Sequence, residues 1–231
     1  MAGARSVCPA AYAGPVSSGE HYFSDRPHES APRRTLPVSL AGREVELVTS
    51  GHVFSGDRLD LGTRVLLRDV PAPPPSGDLL DLGCGWGPLA LTLALLSPGA
   101  RVWAVDVNPL ARELTAENAG RLGLRNVRVI APQEVLDDVR FTTIWSNPPI
   151  RIGKAALHAL LEHWLARLTD DGHAYLVVQR HLGADSLQAW LAQHLATRHL
   201  TAPHADPLPR HGVRRLGSAK GYRVLEVRPA R

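Results

Sequence analysis

Asn147, Pro148 and Pro149 are the residues whose types have the clearest chemical meaning in this sequence. Two consecutive prolines hold the backbone rigidly, so the Asn147 side-chain oxygen and the Pro148 carbonyl oxygen are expected to face one point. Two fixed acceptors hold a planar NH₂ group and favour a lone pair on its nitrogen while that nitrogen attacks a methyl group, so no general base is required. An isolated Asn-Pro-Pro-Ile stretch is more often a simple turn, and the interpretation therefore depends on its surroundings.

A glycine-rich turn follows Asp81. Its glycines are Gly83, Gly85 and Gly87, and Pro88 stands where the dinucleotide-binding fingerprint needs its third glycine, which disfavours a nicotinamide enzyme. An acidic residue before this turn, at the end of a strand, suits a cationic, amino-acid-bearing adenosine cofactor, because no pyrophosphate has to be bound. The alternative is a turn that only packs a helix on a strand.

Asp106 closes the next predicted strand. A carboxylate in this position accepts hydrogen bonds from both hydroxyls of a ribose. The alternative is an exposed aspartate that caps the helix beginning at Pro109.

Short apolar runs alternate with helical periodicity after the proline-rich segment 71–77. Strands separated by helices predict a parallel sheet with crossover helices. Segments 213–216 and 222–227, joined by 217–221, resemble a hairpin. The predicted strands are 79–82, 101–106, 127–130, 141–146 and 174–179, and the predicted helices are 88–96, 109–122, 154–168 and 186–196.

The composition is that of a globular protein, with 44% apolar and 21% charged residues among 231. No apolar run approaches the roughly 20 residues of a spanning helix, and two cysteines are too few for a disulfide framework, so a cytoplasmic location is expected. Eleven histidines are scattered without ligand spacing, and no metal site is predicted. Residues 1–20 are interpreted as a flexible tail.

The basic residues are concentrated at the C-terminal end of the chain. Residues 201–231 hold seven basic and two acidic side chains, whereas the net charge of the whole chain is +4. Arginines on a hairpin suit RNA phosphates, but charge also protects an exposed sheet edge from pairing with another strand. The candidates for phosphate contact are Arg210, Arg214, Arg215, Lys220 and Arg223.

Taken together, Asp81-Leu-Gly-Cys-Gly-Trp-Gly87, Asp106 and Asn147-Pro-Pro resemble the class I S-adenosylmethionine-dependent methyltransferases that act on exocyclic or amide nitrogens. Three longer segments are similar to the ribosomal RNA guanine-N2 methyltransferases of the RsmC/RlmG type, and the resemblance covers about residues 21–228. These segments are His21-Tyr-Phe-Ser24, Gly51-His-Val-Phe-Ser-Gly-Asp-Arg-Leu-Asp-Leu-Gly-Thr63 and Asn147-Pro-Pro-Ile-Arg-Ile-Gly-Lys154.

The resemblance implies an α/β Rossmann-like fold: a seven-stranded, mainly parallel sheet with a C-terminal antiparallel hairpin and helices on both faces. It implies S-adenosyl-L-methionine as cofactor and guanine N2 of ribosomal RNA, or of a ribosomal subunit, as the target. Residues 21–75 would pack over the cofactor site of a domain at 76–231. Methylation of a protein glutamine or of adenine N6 stays open, and so does a non-catalytic RNA-binding module.

The family pattern also implies roles for individual residues. The three glycines lie against the methionine part of the cofactor, Asp81 near its ammonium and Asp106 on its ribose. Two positions depart from the pattern: Ile150 replaces an aromatic residue that stacks on the base, and Gln133 replaces an acidic partner of adenine. The implied catalytic residues are Asn147, Pro148 and Pro149; the further cofactor contacts are Cys84, Val107, Gln133, Asn147, Phe54 and Ser55; the substrate contacts are Ile150, Tyr22, Phe23 and Lys154.

Overall fold

A computed structural model describes residues 32–197 and 211–229. Its centre is a seven-stranded sheet with the strand order β5-β4-β3-β6-β7-β9-β8. The first five strands in that order pair in parallel, and β9 and β8 complete the sheet as an antiparallel hairpin, which confirms the fold class. The strands are β3 (Asp78–Leu82), β4 (Arg101–Val105), β5 (Val127–Ile130), β6 (Phe141–Ser146), β7 (Leu168–Gln179), β8 (His211–Ala219) and β9 (Tyr222–Pro229).

Five helices cover the two faces of this sheet. The first three pack against one face or against each other there. The last two pack against the other face, where the fully buried side chains include Trp103 and Phe141 of the strands and Leu161 and Leu191 of the helices. The helices are α1 (Leu61–Asp69), α2 (Pro88–Leu96), α3 (Pro109–Arg121), α4 (Lys154–Leu165) and α5 (Ala184–Thr197). None of the helices in the described ranges has the length and apolar composition that a membrane span requires.

The strand order places a crevice beside β3. The chain runs from β3 outward through β4 to β5 and then returns to the opposite side of β3 as β6. Ligands of open α/β sheets bind at such a reversal, outside the carboxyl ends of the strands. The loops after β3, β4 and β6 therefore form the walls of the candidate site, and we call this end of the sheet the carboxyl edge.

A two-stranded hairpin, β1 (Arg33–Leu40) and β2 (Arg43–Ser50), precedes α1 and was not predicted from the sequence. Its apolar side chains pack on α2 and α3. Asn118 of α3, fully buried, joins three parts of the chain: its Nδ2 donates to the carbonyls of Val48 and Trp86 at 2.8 and 2.9 Å, and its Oδ1 accepts from the Val48 amide at 2.7 Å. The hairpin is thus fixed to the glycine-rich turn.

The predicted bounds of one helix and of the C-terminal hairpin turn were wrong. The helix predicted over 154–168 ends at Leu165, because Leu168 pairs with Phe141 as the first residue of β7. The turn of the C-terminal hairpin is shorter than predicted, because Lys220 and Gly221 alone form it, with φ of 49° and 82°. Two positive φ values are characteristic of the two-residue turns whose twist matches that of the strands.

Candidate active site

The glycine-rich turn between β3 and α2 leaves open space in front of its backbone. Gly83 and Gly85 have φ of 79° and 57°, and a Cβ added to either would meet nothing within 4 Å. The amides of Gly83 and Cys84 donate to the Val105 carbonyl at 2.8 and 3.1 Å, which holds the turn against β4. At Gly87 a Cβ would come within 3.1 Å of Thr115 Oγ1, so this glycine allows close packing on α3. A ligand therefore has access to the backbone at the first two glycines.

Asp106 connects the end of β4 to this turn. Its Oδ2 accepts from the Gly85 amide at 3.0 Å, and its Oδ1 accepts from the Asn108 amide at 2.8 Å. The side chain of Asn108, and not Asp106, caps α3 by accepting from the Leu110 amide at 3.0 Å. The alternative of a helix-capping Asp106 was therefore wrong. Burial raises the pKa of Asp106 above its ordinary value.

Asp81 lies fully buried beneath the turn, in β3. Its Oδ2 accepts from the Ala90 amide of α2 at 2.8 Å, and its Oδ1 has no hydrogen-bond partner among the described residues. Burial, together with repulsion from Asp106, raises the pKa of Asp81 to about 8. A cation that binds beside these two carboxyl groups favours their ionised forms and so replaces the proton that burial retains on Asp81. These features fit a ligand that carries a positively charged group.

Asn147 stands directly after β6, with its amide held from one side. Its Nδ2 donates to Asp60 Oδ2 at 2.8 Å and to Thr63 Oγ1 at 3.2 Å. A carboxylate can only accept, so this contact fixes which end of the amide faces α1 and leaves Oδ1 as the end available to a ligand. Ser146, the preceding residue, donates its hydroxyl to the Leu82 carbonyl at 2.7 Å and ties β6 to β3.

Asp60 was missed as a functional residue by sequence reasoning, although it lies within the Gly51–Thr63 segment. It caps α1 by accepting from the Thr63 amide at 3.0 Å with the same oxygen that holds Asn147. The two residues are separated by 87 positions in the chain, so no local spacing pattern points to their contact. The N-cap pattern of an aspartate three residues before Thr63 is the signal that was available.

The Pro148 carbonyl is not the fully open acceptor that the sequence suggested. It accepts from the Ile150 amide at 2.9 Å, and the chain continues as a short 3-10 turn, Ile150–Ile152. A carbonyl oxygen has two lone pairs, so one remains for a ligand. Pro148 is buried and Pro149 is half-buried, which keeps this turn rigid.

The remaining predicted contacts differ in burial and in the bonds they form. Tyr22 and Phe23 lie outside the described residues. Ser55, with φ of 52°, donates its hydroxyl to the Arg58 carbonyl at 2.8 Å and so holds its own loop. Cys84 is buried, and burial raises the pKa of its thiol, which excludes a nucleophilic thiolate. The exposed or partly exposed positions are Phe54, Val107, Gln133, Ile150 and Lys154.

The basic C-terminal strand is largely neutralised by its neighbours. Arg214 forms an ion pair with the buried Glu226 carboxylate directly across the hairpin, and Arg215 reaches Asp185 at 3.4 Å. Arg223 also pairs with Asp185. Arg210 lies outside the described residues. The strand β8 is the outer strand of the sheet, so this arrangement agrees with edge protection better than with a phosphate-binding row.

Comparison with known proteins gives three main findings. The family model of the methyltransferase small domain matches residues 44–205. The uncharacterized protein YbxB of Bacillus subtilis is 34% identical over 171 residues, which are 72% of this chain and 85% of that protein. The ribosomal RNA large subunit methyltransferase G of Pseudomonas putida is 32% identical over 176 residues, 73% of this chain but 47% of that protein.

A solved structure of similar fold is the T. thermophilus 16S rRNA N2 G1207 methyltransferase RsmC in complex with AdoMet and guanosine. It superposes with a TM-score of 0.70 at 23% identity, over 89% of this chain and 52% of that one. The chain therefore spans about half the length of the ribosomal RNA methyltransferases that it matches. With a family model that covers most of the described residues, this chain belongs to the methyltransferase small-domain family and is an S-adenosylmethionine-dependent methyltransferase.

Proposed function

We propose that this enzyme methylates the exocyclic N2 amine of a guanine in ribosomal RNA. The observation that carries the proposal is the orientation of the Asn147 amide, whose Nδ2 is held by Asp60 and Thr63 at 2.8 and 3.2 Å. The amide therefore presents its oxygen to a ligand at the carboxyl edge. Only a donor such as an NH₂ group satisfies that oxygen.

The residues around the glycine-rich turn would hold S-adenosylmethionine. When bound, the cofactor supplies a methyl group on a positively charged sulfur, which makes the methyl carbon open to attack. Gly83 and Gly85 allow the methionine portion to approach the backbone, and the buried Asp81 attracts its ammonium without exposing a carboxylate to solvent. Asp106 would accept from the ribose hydroxyls, because it is partly exposed beside the turn.

The chain's own contribution to the transfer step is orientation. Asn147 Oδ1 and the Pro148 carbonyl accept the two N–H bonds of the amine, which directs the nitrogen lone pair towards the methyl group. As the bond to carbon forms, the amine becomes positively charged and these two oxygens stabilise it. Its extra proton then leaves to water, since no histidine or lysine lies among the hydrogen-bond partners of Asn147 in the described part of the chain.

The names of the relatives support ribosomal RNA as the substrate. One matched relative is called a ribosomal RNA large subunit methyltransferase, and the similar structure is named for guanine 1207 of 16S rRNA. Adenine N6 and a protein glutamine amide also present a planar NH₂ group, so the Asn-Pro-Pro turn alone does not choose among them. The polymer is selected by the surface around the site.

The proposal is tested by mass analysis of ribosomal RNA nucleosides from a deletion strain of the organism that encodes the chain. We expect loss of part of the N2-methylguanosine, full restoration by the wild-type gene, and no restoration by Asn147→Ala at equal protein level. An Asp60→Ser variant keeps an N-cap residue on α1 and removes the contact to Asn147, so we expect slow but measurable restoration. An unchanged nucleoside profile in every RNA would contradict the proposal and favour a protein amide.

A further inference from the structure

A second cavity opens at the carboxyl edge, on the α4 and α5 face of the sheet. Its volume is about 130 Å³, and one side of it opens to solvent. Ile150 and Lys154 form one side of it, Val178 of β7 lies at its base, and Ser186 of α5 forms the opposite side. Ile150 lies only three residues beyond Asn147, so the cavity adjoins the proposed site of methyl transfer.

The residues that line this cavity are mostly apolar, and its polar side chains are those of Lys154, His158 and Ser186. Leu157 and Val178 belong to the main core cluster. The His158 ring stacks on Trp190 with a centroid separation of 3.8 Å and an interplanar angle of 12°, which fixes one aromatic wall between α4 and α5. Burial and the nearby Lys154 ammonium lower the pKa of His158, so the ring is neutral at neutral pH. No acidic side chain lines the cavity among the described residues.

Lys154 lines the cavity, and three further exposed cationic side chains lie in the loops at this end of the sheet. Arg151 and Lys154 follow β6, Arg180 follows β7, and Lys220 forms the β8–β9 turn; all four are exposed. The Arg180 amide donates to the Gly221 carbonyl at 2.7 Å, which places the arginine beside that turn. In contrast to Arg214 and Arg215, these four side chains form no ion pair within residues 32–197 and 211–229. Asp185, the acidic neighbour of Ser186, is already paired with Arg215 and Arg223 and so does not neutralise these four side chains.

We propose that this cavity binds the nucleobase next to the methylated guanine in the same RNA strand, while Lys154, Arg180 and Lys220 contact the phosphates. The inference rests on the proposed function. The cavity base is formed by β7, one strand and about 4.8 Å from β6, which suits a neighbouring nucleotide better than the target itself. Proteins recognise single-stranded RNA by holding unstacked bases against aromatic and imidazole rings, and His158 supplies such a ring.

Photo-crosslinking tests the position of the base. The probe is a seven-residue oligouridylate with one central guanosine and a single 4-thiouridine, moved through the six uridine positions, in the presence of S-adenosylhomocysteine. We expect the 4-thiouridine at one position adjacent to the guanosine to crosslink to residues 150–158 or 178–187. Crosslinks from more distant positions should fall at least tenfold lower in yield. A central 6-thioguanosine that crosslinks to these residues instead would overturn the inference, because the cavity would then hold the target.

A cavity-filling variant separates a specific site from general RNA binding. Ser186→Phe, at an exposed position on the cavity side, should lower the adjacent crosslink at least tenfold and leave the cofactor affinity unchanged by calorimetry. The matched control is Ser76→Phe, at an exposed position before β3 on the opposite edge of the sheet. An equal crosslink yield in Ser186→Phe and Ser76→Phe would overturn the proposal that the cavity binds the adjacent base.

The phosphate contacts are tested by the salt dependence of RNA affinity. Arg180→Gln/Lys220→Gln should flatten the slope of log affinity against log salt by about 0.7 per lost contact. The control Arg125→Gln/Arg228→Gln removes the same charge from loop and strand ends at the other edge and should leave the slope unchanged. If the probe binds but neither slope nor crosslink responds, the cavity inference fails and the proposed function stands. If the probe does not bind, the cavity inference fails, and ribosomal RNA from the deletion strain decides separately on the function.

Discussion

The two halves of the carboxyl edge are built in opposite ways. On the β3–β4 half, the polar groups are buried or bonded to each other: Asp81 is fully buried and Asp106 holds the glycine-rich turn. On the β7–β9 half, Arg180 and Lys220 are exposed and have no acidic partner among the described residues. The first half is organised before its ligand arrives, and the second leaves its charges to be neutralised by the ligand.

This difference corresponds to two kinds of ligand. A small cofactor of constant shape is bound best by groups that need no rearrangement, since ordering them on binding would cost affinity. A long polyanion gains affinity from many separate charges whose individual positions matter less. Asn147 lies between the halves, directly after β6, where its side chain is partly exposed and held by two hydrogen bonds.

The largest effect is expected at this junction. Asn147→Ala should lower the turnover number by roughly 10²–10³, because loss of one preorganised polar group in the site has this magnitude. S-adenosylmethionine affinity should stay near that of the wild type, since the side chain faces the amine. Single-turnover assays together with calorimetry check both values. A turnover within threefold of the wild type would make the Asn-Pro-Pro turn a structural feature only.

A smaller effect is expected in the half that is organised in advance. Asp106→Ala should weaken S-adenosylmethionine binding by about 1.5–3 kcal/mol, the contribution of hydrogen bonds to a charged group. The control is Asp170→Ala, an exposed aspartate in β7. Calorimetric titration of both variants makes the comparison, and equal affinities would remove Asp106 from the cofactor site.

The buried Asp81 should leave a pH signature on the cofactor-free protein. Its folded-state pKa of about 8 lies above the value near 4 in the unfolded chain, so the folded state retains a proton that the unfolded state has lost. Between these values the free energy of unfolding should fall as pH rises, by at most about 1.4 kcal/mol per pH unit. The Asp81→Asn variant has no ionisable group at this position, so its free energy of unfolding should lack this dependence on pH.

Urea unfolding of both proteins at pH 5.5, 6.5 and 7.5 measures this pH dependence of the free energy of unfolding. We expect the wild type to lose stability relative to Asp81→Asn with each step upward in pH. Parallel pH profiles for the two proteins would show that the carboxyl group ionises normally beneath the turn.

The smallest effect is expected on β8. Arg214→Gln/Arg215→Gln should leave the salt dependence of RNA affinity unchanged, because Glu226 and Asp185 already neutralise these side chains. RNA affinity measured at several salt concentrations provides the test. A slope flattened by about 1.4 would contradict this prediction, because it would show that Arg214 and Arg215 of β8 contact RNA phosphates.

The elements that the sequence predicted well are those with local signals. The helix beginning at Pro88 and the strands 127–130 and 141–146 have the predicted bounds, because apolar periodicity and flanking glycine or proline define them. The β1–β2 hairpin escaped prediction because Pro37 interrupts its first strand, and proline argues against a strand unless it lies at an edge.

The features that the sequence did not predict depend on contacts between residues far apart in the chain. The hold of Asp60 on Asn147 and the pairing of Arg214 with Glu226 depend on register across the folded sheet. Charge counted along the chain left phosphate contact and edge protection both open for Arg210, Arg214, Arg215, Lys220 and Arg223. The register neutralises Arg214 and leaves Lys220 exposed. The individual cofactor and substrate contacts remain predictions for the variants above.

The three hydrogen bonds of Asn118 make the hairpin a reporter of the cofactor site. The Val48 amide of β2 donates to the same side chain that binds the Trp86 carbonyl in the glycine-rich turn. If β2 detaches only when the turn loosens, S-adenosylmethionine should slow hydrogen exchange at Val48, and by about a hundredfold at a ligand concentration of about 100 times its Kd. Occupancy of the cofactor site would then be readable at an amide that the ligand does not touch.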